Sequence, residues 1–453
     1  MNHTRNRELV SPARRAAFDI LQRVESESAY ASVLIAQLPE TDLSREDRAL
    51  AQELVLGVLR WRGLLDYLIE QYAKRPIARF DLTVLIALRL GLYQLRYLSR
   101  IPQSAAVNES VNLVKRARVT SATGLVNAVL RRAAKLIDQP VGEDVSDPSE
   151  RASIELSHPA WVLERWRTML GDDETHALAL VNNSPSPQSF RINTLQFTTA
   201  DAIEQLASEG VIACESEFAP GAFVVESGPG SSVAKAAERG LIYIQDQASQ
   251  LVSLLLDAKP GHRVLDLCAA PGSKSSHIAA LTQDQAHIVS CDIHARRLAT
   301  LRSTCERLGV TSIDAVALDA TQALPFAESS MKFDRVLVDA PCSGTGTLRG
   351  NPEIKWRLKL EEIEKLAKLQ LSLLHNASSV VADDGRLLYS TCSLEPEENE
   401  AVIQNFLNDN SAFRVSEPGI SQNLLTDGGF VRTFPHRQGS DGFFAAVLEK
   451  IAR

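Results

Sequence analysis

From residue 263 to residue 391 the chain alternates short apolar runs with amphipathic stretches of helical period, and few folds accept that rhythm. The runs RVLDLC (263–268), HIVSCD (287–292), DAVALD (314–319), DRVLVDA (334–340) and RLLYST (386–391) read as strands. Their apolar residues are continuous rather than alternating, as in strands buried on both faces. Residues 274–282, 294–308, 359–382 and 397–408 read as the helices between and after them. Five such units predict a parallel sheet wrapped by right-handed crossovers. FFAAVLEK (443–450) is predicted as a last, antiparallel strand. Sheets of this kind bind ligands beyond the carboxyl ends of their strands.

The first of these strand-end loops, DLCAAPGSKSSH (266–277), opens a helix. Its small residues let backbone N–H groups and the helix N-terminus approach an anionic group. The spacing matches neither GxxxxGK[ST] nor GxGxxG, which disfavours a nucleoside triphosphate or NAD. Asp292 ends the second strand, 20 residues after Gly272, where an acid accepts from ribose hydroxyls. Asp319 ends the third strand, within reach of a base's amino group. A small-residue loop with two such acids describes an adenosine-containing cofactor without a phosphate chain. S-adenosylmethionine fits, with its carboxylate near the loop.

Two further loops each carry a thiol: Cys342 in DAPCSGTG (339–346) and Cys392 in STCSLEPEEN (390–399). Both follow predicted buried strands, so both point to covalent chemistry. Chemistry alone does not rank one above the other. The six cysteines, at 214, 268, 291, 305, 342 and 392, show no CxxC or His-Cys spacing. No metal site is expected, and the thiols are expected to be reduced.

Residues 12–137 read as all helix, with apolar residues at i, i+3, i+4 and i+7 in 13–24, 46–73 and 104–117. Ser44 is placed to cap the second of these, with Asp47 three residues on, and Pro102 separates helices. The stretch 139–151, which contains QPVGEDVSDPSE, has no period and reads as a linker. Residues 152–183 return to helix. SFRINTLQ (189–196) and AFVVES (222–227) read as strands around a helix at 201–210, a small α/β module ending near GLIYIQD (240–246). The expected division is therefore 8–138, a linker at 139–151, then 152–244 and 245–451.

At 453 residues the chain exceeds one core. No stretch of 18 or more apolar residues is present, so no membrane span is expected. The first fifteen residues lack an apolar signal core, so the expected location is the cytoplasm. The net charge of −8 conceals an asymmetry. Residues 1–140 carry 21 Lys/Arg against 14 Asp/Glu, and the remainder carries 27 against 42. A basic N-terminal part on an acidic body points to a polyanion partner, with a solvated basic helical face as the plainer alternative.

Longer motifs add a family resemblance. DLCAAPGSK, CDIHARRL, LDAT, VDAPCSGTGTLRGNPEIKW and YSTCSLEPEENE, in this order, resemble the RNA cytosine-5 methyltransferases of the Sun group. ELVLGVLRWRGLLDYLI (53–69), IPQSAAVNESVNLVK (101–115) and GLVNAVLRR (124–132) resemble the RNA-binding helical fold of NusB. That fusion looks like the bacterial 16S rRNA branch of the group. The resemblance implies an α/β chain: a Rossmann-like class I methyltransferase domain, a small α/β module before it, and an all-α NusB-like N-terminal domain. It implies S-adenosylmethionine contacts from Cys268, Ala269, Ala270, Pro271, Gly272, Ser273, Lys274, Asp292, Arg297, Asp319 and Asp339. It implies 16S rRNA as partner, no membrane, no metal and a monomer. The family usually has Gly-Gly-Lys in the cofactor loop. Here Gly272-Ser273-Lys274 stands, and Ser273 would be strained if that position required a positive φ.

The same resemblance assigns catalytic roles to Cys392, Cys342, Asp339 and Lys274. The C5 carbon of cytosine is a poor nucleophile, and thiolate addition to C6 activates it. The family's attacking thiol matches Cys392, and Cys342 assists product release. Asp339 would sit at the pyrimidine N3 and, if protonated in a dry pocket, donate a hydrogen bond to the adduct. Lys355 could meet phosphate. Trp356, after Asn351 and Pro352, either stacks on a base or packs in a core. Glu395, Pro396, Glu397, Glu398 and Asn399 read equally as a helix start with acids at the positive dipole end. Arg191 and Asn193 either touch RNA or brace a domain interface. Arg14, Arg15, Arg60, Arg62, Lys115 and Arg116 are candidates for phosphate contact. The competing readings are the same chemistry on tRNA or another rRNA site, and a non-catalytic RNA-binding assembly factor.

Overall fold

A computed structural model of the chain describes residues 10–38, 43–328 and 332–451. Residues 1–9, read above for a missing signal core, lie outside them. The chain divides into two compact units: residues up to Pro185 with Leu348–Arg357, and Ser186–Thr347 with Leu358 onward.

The first unit is helical. Its centre is the helix Leu82–Tyr97, buried from Val84 to Gln94, and a helix apolar all round belongs inside. Helices Pro12–Glu27, Gln103–Arg116 and Thr123–Lys135 pack on it. Ser44 caps Arg45–Arg60 by accepting from the Asp47 N–H. The single helix expected over 46–73 is two, Arg45–Arg60 and Arg62–Ala73, broken at Trp61. Both halves bury a face against Leu82–Tyr97, so the apolar repeat runs through the break without registering it. The expected linker also ends early. Asp147 accepts from the Glu150 N–H and Pro148 stands at the first position of Pro148–Glu155. The Asp-Pro-Ser-Glu read as breakers is a helix start. Helices Ala160–Leu170 and Asp172–Asn182 complete the unit.

The second unit opens with a four-stranded antiparallel sheet. Its strands are β1 (Ser189–Ile192), β2 (Ile212–Glu215), β3 (Ala222–Ser227) and β4 (Ile242–Ile244), in the order β2-β3-β1-β4. Helices Thr199–Ser208 and Gly230–Glu238 accompany it. β2, β4 and the second helix were not expected; β2 is exposed over most of its length, and the three residues of β4 carry too few alternations to show a period.

The larger sheet contains β5 (Arg263–Asp266), β6 (His287–Asp292), β7 (Ile313–Ala317), β8 (Phe333–Asp339), β9 (Val381–Thr391), β10 (Phe413–Val415), β11 (Val431–Arg432) and β12 (Phe444–Lys450). The order is β10-β12-β9-β8-β5-β6-β7, with β11 beside β12. β5 to β9 are parallel to their neighbours and β12 runs antiparallel along β9, as predicted. Val264, Leu337 and Leu388 join the core on one face; Leu265, Val336 and Leu387 join the core on the other. Both faces are covered, which is why these strands read as unbroken apolar runs. β5 lies between β6 and β8, so the loops leaving β5 and β8 diverge in opposite directions. The strand order reverses there, and such a switch point opens a crevice for a ligand.

Candidate active site

A cavity of about 360 Å³ lies at that crevice. Cys268 and Ala270 line it from the β5 loop, Asp292 from the end of β6, Arg297 from the helix that follows it, Asp319 from just after β7, Asp339 from the end of β8, and Cys342 and Cys392 from the loops after β8 and β9. Ala269, Pro271, Gly272, Ser273 and Lys274 do not line it. Gly272 shapes the loop instead. Its φ is +103°, and a Cβ there would stand 2.8 Å from Leu301. Ser273 is the first residue of the helix Ser273–Leu281 and is not among the residues of positive φ. A second glycine is therefore not required, and the strain anticipated at Ser273 does not arise.

Asp292 is nearly buried. One carboxylate oxygen accepts from the His294 N–H at 2.8 Å, and the other faces Arg297 at 3.2 Å. Arg297 also donates to the Ala270 carbonyl at 2.5 Å, tying the β6 end to the β5 loop. Asp319 is exposed, and bonds from the Thr321 hydroxyl and N–H hold its carboxyl below the usual carboxylate range. Apolar walls come from Leu318, Ile293 and Pro341. The donor set suits ribose hydroxyls and an adenine between apolar faces, and it has no cradle for a phosphate chain. These residues fit S-adenosylmethionine.

Lys274 Nζ lies 2.6 Å from Asp339 Oδ2, and the Ser390 hydroxyl donates to Asp339 Oδ1 at 2.8 Å. Burial works against the Lys274 ammonium, but Asp339 outweighs it and the net shift is upward, with Cys392 adding to it. The polar neighbours of Asp339 are thus an ammonium and a hydroxyl.

The two sulfurs are 3.3 Å apart. The contact with Cys392, then burial, pushes the Cys342 thiol well above its ordinary value. Burial likewise raises Cys291, to about 12, and Cys305, to about 11, so neither is primed to attack.

What holds the two thiol loops together is Glu398. It is fully buried, and its carboxylate accepts from the Ser343 N–H at 2.9 Å, the Ser343 hydroxyl, the Ser393 hydroxyl at 2.5 Å and the Gln370 amide at 2.9 Å. Ser343 follows Cys342, and Ser393 follows Cys392. The backbones are stitched too: Gly346 N–H donates to the Cys392 carbonyl at 2.9 Å, and a Cβ on Gly346 would sit 2.0 Å from the Gly442 oxygen. The Thr391 hydroxyl donates to Asn399 Oδ1 at 2.6 Å, and Asn399 returns a bond to the Ser393 carbonyl at 2.9 Å. Residues 395–399 are thus not merely a helix start. Glu398 lies in the turn Pro396–Glu398 and serves as a clamp. Sequence offered one signal, an unusual density of acids after a Ser-rich loop, and helix-dipole logic absorbed it.

Several candidates lie elsewhere. Lys355 is buried in the helical unit, donating to the Arg60 carbonyl and Asn183 Oδ1, both at 2.8 Å. Trp356 donates to the Leu59 carbonyl at 2.6 Å, Asn351 accepts from Ser32 at 2.9 Å, and Pro352 is buried. The packing reading of Trp356 holds, and Lys355 is not placed to meet phosphate. Arg14 pairs with Glu109 at 3.0 Å, Arg62 with Glu25 at 3.1 Å and Arg116 with Asp19 at 2.8 Å. Arg60 donates to the Arg349 carbonyl at 2.8 Å, and Arg15 is half-buried and engaged. Only Lys115 of the six remains exposed without a partner among the described residues. Arg191 stacks on Tyr243 at 4.8 Å and donates to Ser276 at 2.8 Å, while Asn193 donates to the Gly240 and Leu308 carbonyls. Both brace the small sheet against the larger one. Among the described residues no helix is long and apolar enough to cross a membrane, and no cluster of three metal-ligating side chains occurs.

The comparisons with known proteins agree with this layout. The family described as 16S rRNA methyltransferase RsmB/F matches residues 253–449, the NusB family matches 11–135, and the RsmF/B-like ferredoxin-like domain matches 158–230. The chain is 34% identical to ribosomal RNA small subunit methyltransferase B of Pseudomonas putida, over 98% of this chain and 99% of that one. It is 33% identical to the protein given the same name, as probable, in Bacillus subtilis, over 96% and 98%. Among solved structures, PH0851 superposes with a TM-score of 0.83 at 28% identity, covering 98% of this chain and 100% of that one. A methyltransferase homologue from Pyrococcus horikoshii gives 0.59 at 29% identity, covering 68% and 100%. The chain belongs to the ribosomal RNA small subunit methyltransferase B family, whose members depend on S-adenosylmethionine.

Proposed function

We propose that this chain methylates C5 of a cytosine in 16S rRNA through a covalent adduct between Cys392 and C6. One observation carries the reading: two thiols 3.3 Å apart at the wall of the cofactor cavity, next to the Lys274–Asp339 pair. S-adenosylmethionine, when bound, supplies an electrophilic methyl group. Asp292 and Asp319 would hold its ribose and adenine ends, with Cys268 and Ala270 at the loop.

Cys392 is the attacking sulfur. The contact with it and burial push the neighbouring Cys342 thiol well above its ordinary value, and Lys274 places a positive charge nearby. The Cys392 thiolate adds to C6, which pushes the electron pair of the C5–C6 bond onto C5. C5 takes the methyl group, and a base then removes the C5 proton. The electrons of that C–H bond reform the double bond and expel the Cys392 thiolate. Asp339 accepts from the exocyclic amine of the base. Lys274, at 2.6 Å from Asp339, stabilises by its positive charge the negative charge that develops at N3. Cys342 assists the expulsion from its position beside the adducted sulfur. A base inside folded RNA must leave its stack to reach such a pocket.

The test is covalent capture. Cys392→Ala is expected to abolish both tritium transfer from labelled cofactor to unmodified 16S rRNA and trapping on 5-fluorocytosine RNA. Cys342→Ala is expected to accumulate a slowly released protein–RNA adduct. The reverse pattern would overturn the assignment, and bisulfite sequencing of the product locates the base.

A further inference from the structure

Most cations that the sequence offered for RNA are spent on internal pairs, so the basic excess of the N-terminal part needs another outlet. Arg131, Arg132 and Lys135 provide it. They sit at the end of the helix Thr123–Lys135, exposed, and no acid pairs with any of them among the described residues. Arg131 donates only to Asn127, four residues back, and Arg132 makes a long contact of 3.4 Å to the Tyr72 carbonyl. All three line an open groove of about 640 Å³ against the first turns of Gln103–Arg116, where Gln103 and Asn108 face them. No carboxylate lines this groove.

We infer that this groove binds a stretch of the RNA substrate, with Arg131, Arg132 and Lys135 on phosphates and the amides of Gln103 and Asn108 on ribose or base edges. The inference rests on the proposed RNA substrate. Arg131 and Lys135, four residues apart, share one face of their helix, so their charges form a short row rather than a point. Gln103 and Asn108 bring both donors and acceptors, which suits 2′-hydroxyls and unpaired bases. The groove exceeds the volume of one phosphate. Its apolar lining is Val107 and two alanines, with none of the aromatic anchors typical of a protein partner's seat.

The full chain carrying Arg131→Gln, Arg132→Gln and Lys135→Gln tests it, with an unmodified 16S rRNA transcript as probe. Each phosphate contact contributes about 0.7 to the slope of log affinity against log salt for single strands, so the slope is expected to fall by about 2. Affinity at ~0.15 M salt is expected to drop about tenfold or more, raising KM for RNA while kcat at saturating RNA stays. The three Arg/Lys exchanges Arg131→Lys, Arg132→Lys and Lys135→Arg, which keep the charge, are expected to restore the slope. A glutamine variant with native circular dichroism and wild-type slope and affinity overturns the inference. Wild-type chain that binds the transcript through this groove but transfers no methyl group would sink the functional reading and leave the groove standing.

Discussion

Asp266 is wholly buried at the end of β5. Burial is the main cause that pushes its carboxyl from 3.8 up to about 7, against the lowering effect of the Ser275 hydroxyl at 2.7 Å. The folded chain therefore holds this proton more tightly than the unfolded chain does. The stability it contributes is full below the unfolded value of 3.8, declines as pH rises toward 7, and is lost above. A shift of about three pH units bounds the loss at on the order of 4 kcal/mol. Denaturant titrations between about pH 4 and pH 8 are expected to show wild type losing ground steadily to Asp266→Asn. A constant difference between the two would show that this carboxyl is ionised throughout. Gly272 makes a second residue-scale prediction, since both its φ of +103° and the 2.8 Å clearance to Leu301 exclude a side chain. Gly272→Ala is expected to cost about 1–3 kcal/mol and to weaken cofactor binding, read by calorimetry. An unaltered affinity would mean that the loop tolerates the shift.

At the scale of elements, the turn Pro396–Glu398 decides how two loops from different strands come to share one site. The Glu398 carboxylate gathers donors from both, and its charge also raises the Cys342 thiol. Glu398→Ala leaves the Ser343 N–H and the Ser393 hydroxyl short of a buried acceptor, at about 1–3 kcal/mol for each such group. Methyl transfer is expected to lose kcat far more than RNA affinity. Iodoacetamide is expected to alkylate Cys342 faster in the variant, as the thiol's value falls. Unchanged alkylation with lost activity would reduce Glu398 to a folding element. β5 to β9 and their helices were legible because each strand carries an apolar run and each helix a period. β4, β10 and β11 are two or three residues long, and β2 is mostly exposed, so these were not. The Trp61 break was invisible because both halves pack on one helix.

At the scale of the whole molecule, the segment Leu348–Arg357 belongs to the helical unit although it is encoded between β8 and β9. Lys355 there is pushed well below its ordinary value, first by burial and then by Arg60. Lys355→Met is expected to change stability, through the orphaned Asn183 and Arg60 oxygens, by about 1–3 kcal/mol. The salt dependence of RNA binding is expected to stay as in wild type. A slope reduced by about 0.7 would instead place Lys355 on a phosphate. The charge excess of residues 1–140 was visible in composition, but which cations are free was not. Arg14, Arg62 and Arg116 have acids brought to them by folding; Arg131, Arg132 and Lys135 do not.

Sequence alone determined the parallel sheet, the cofactor loop, the strand-end acids and the presence of two thiols, because these are written in local periods and short contiguous motifs. It also carried the family, through motifs long enough to be specific. Only the tertiary structure decided that the two sulfurs lie 3.3 Å apart, that Asp339 faces Lys274, and that Glu398 joins two loops 50 residues apart in the chain. Those are distances between strand ends, and they depend on the order in which β5, β8 and β9 lie side by side. Strand order is set by packing across the whole sheet, and no window of sequence contains it.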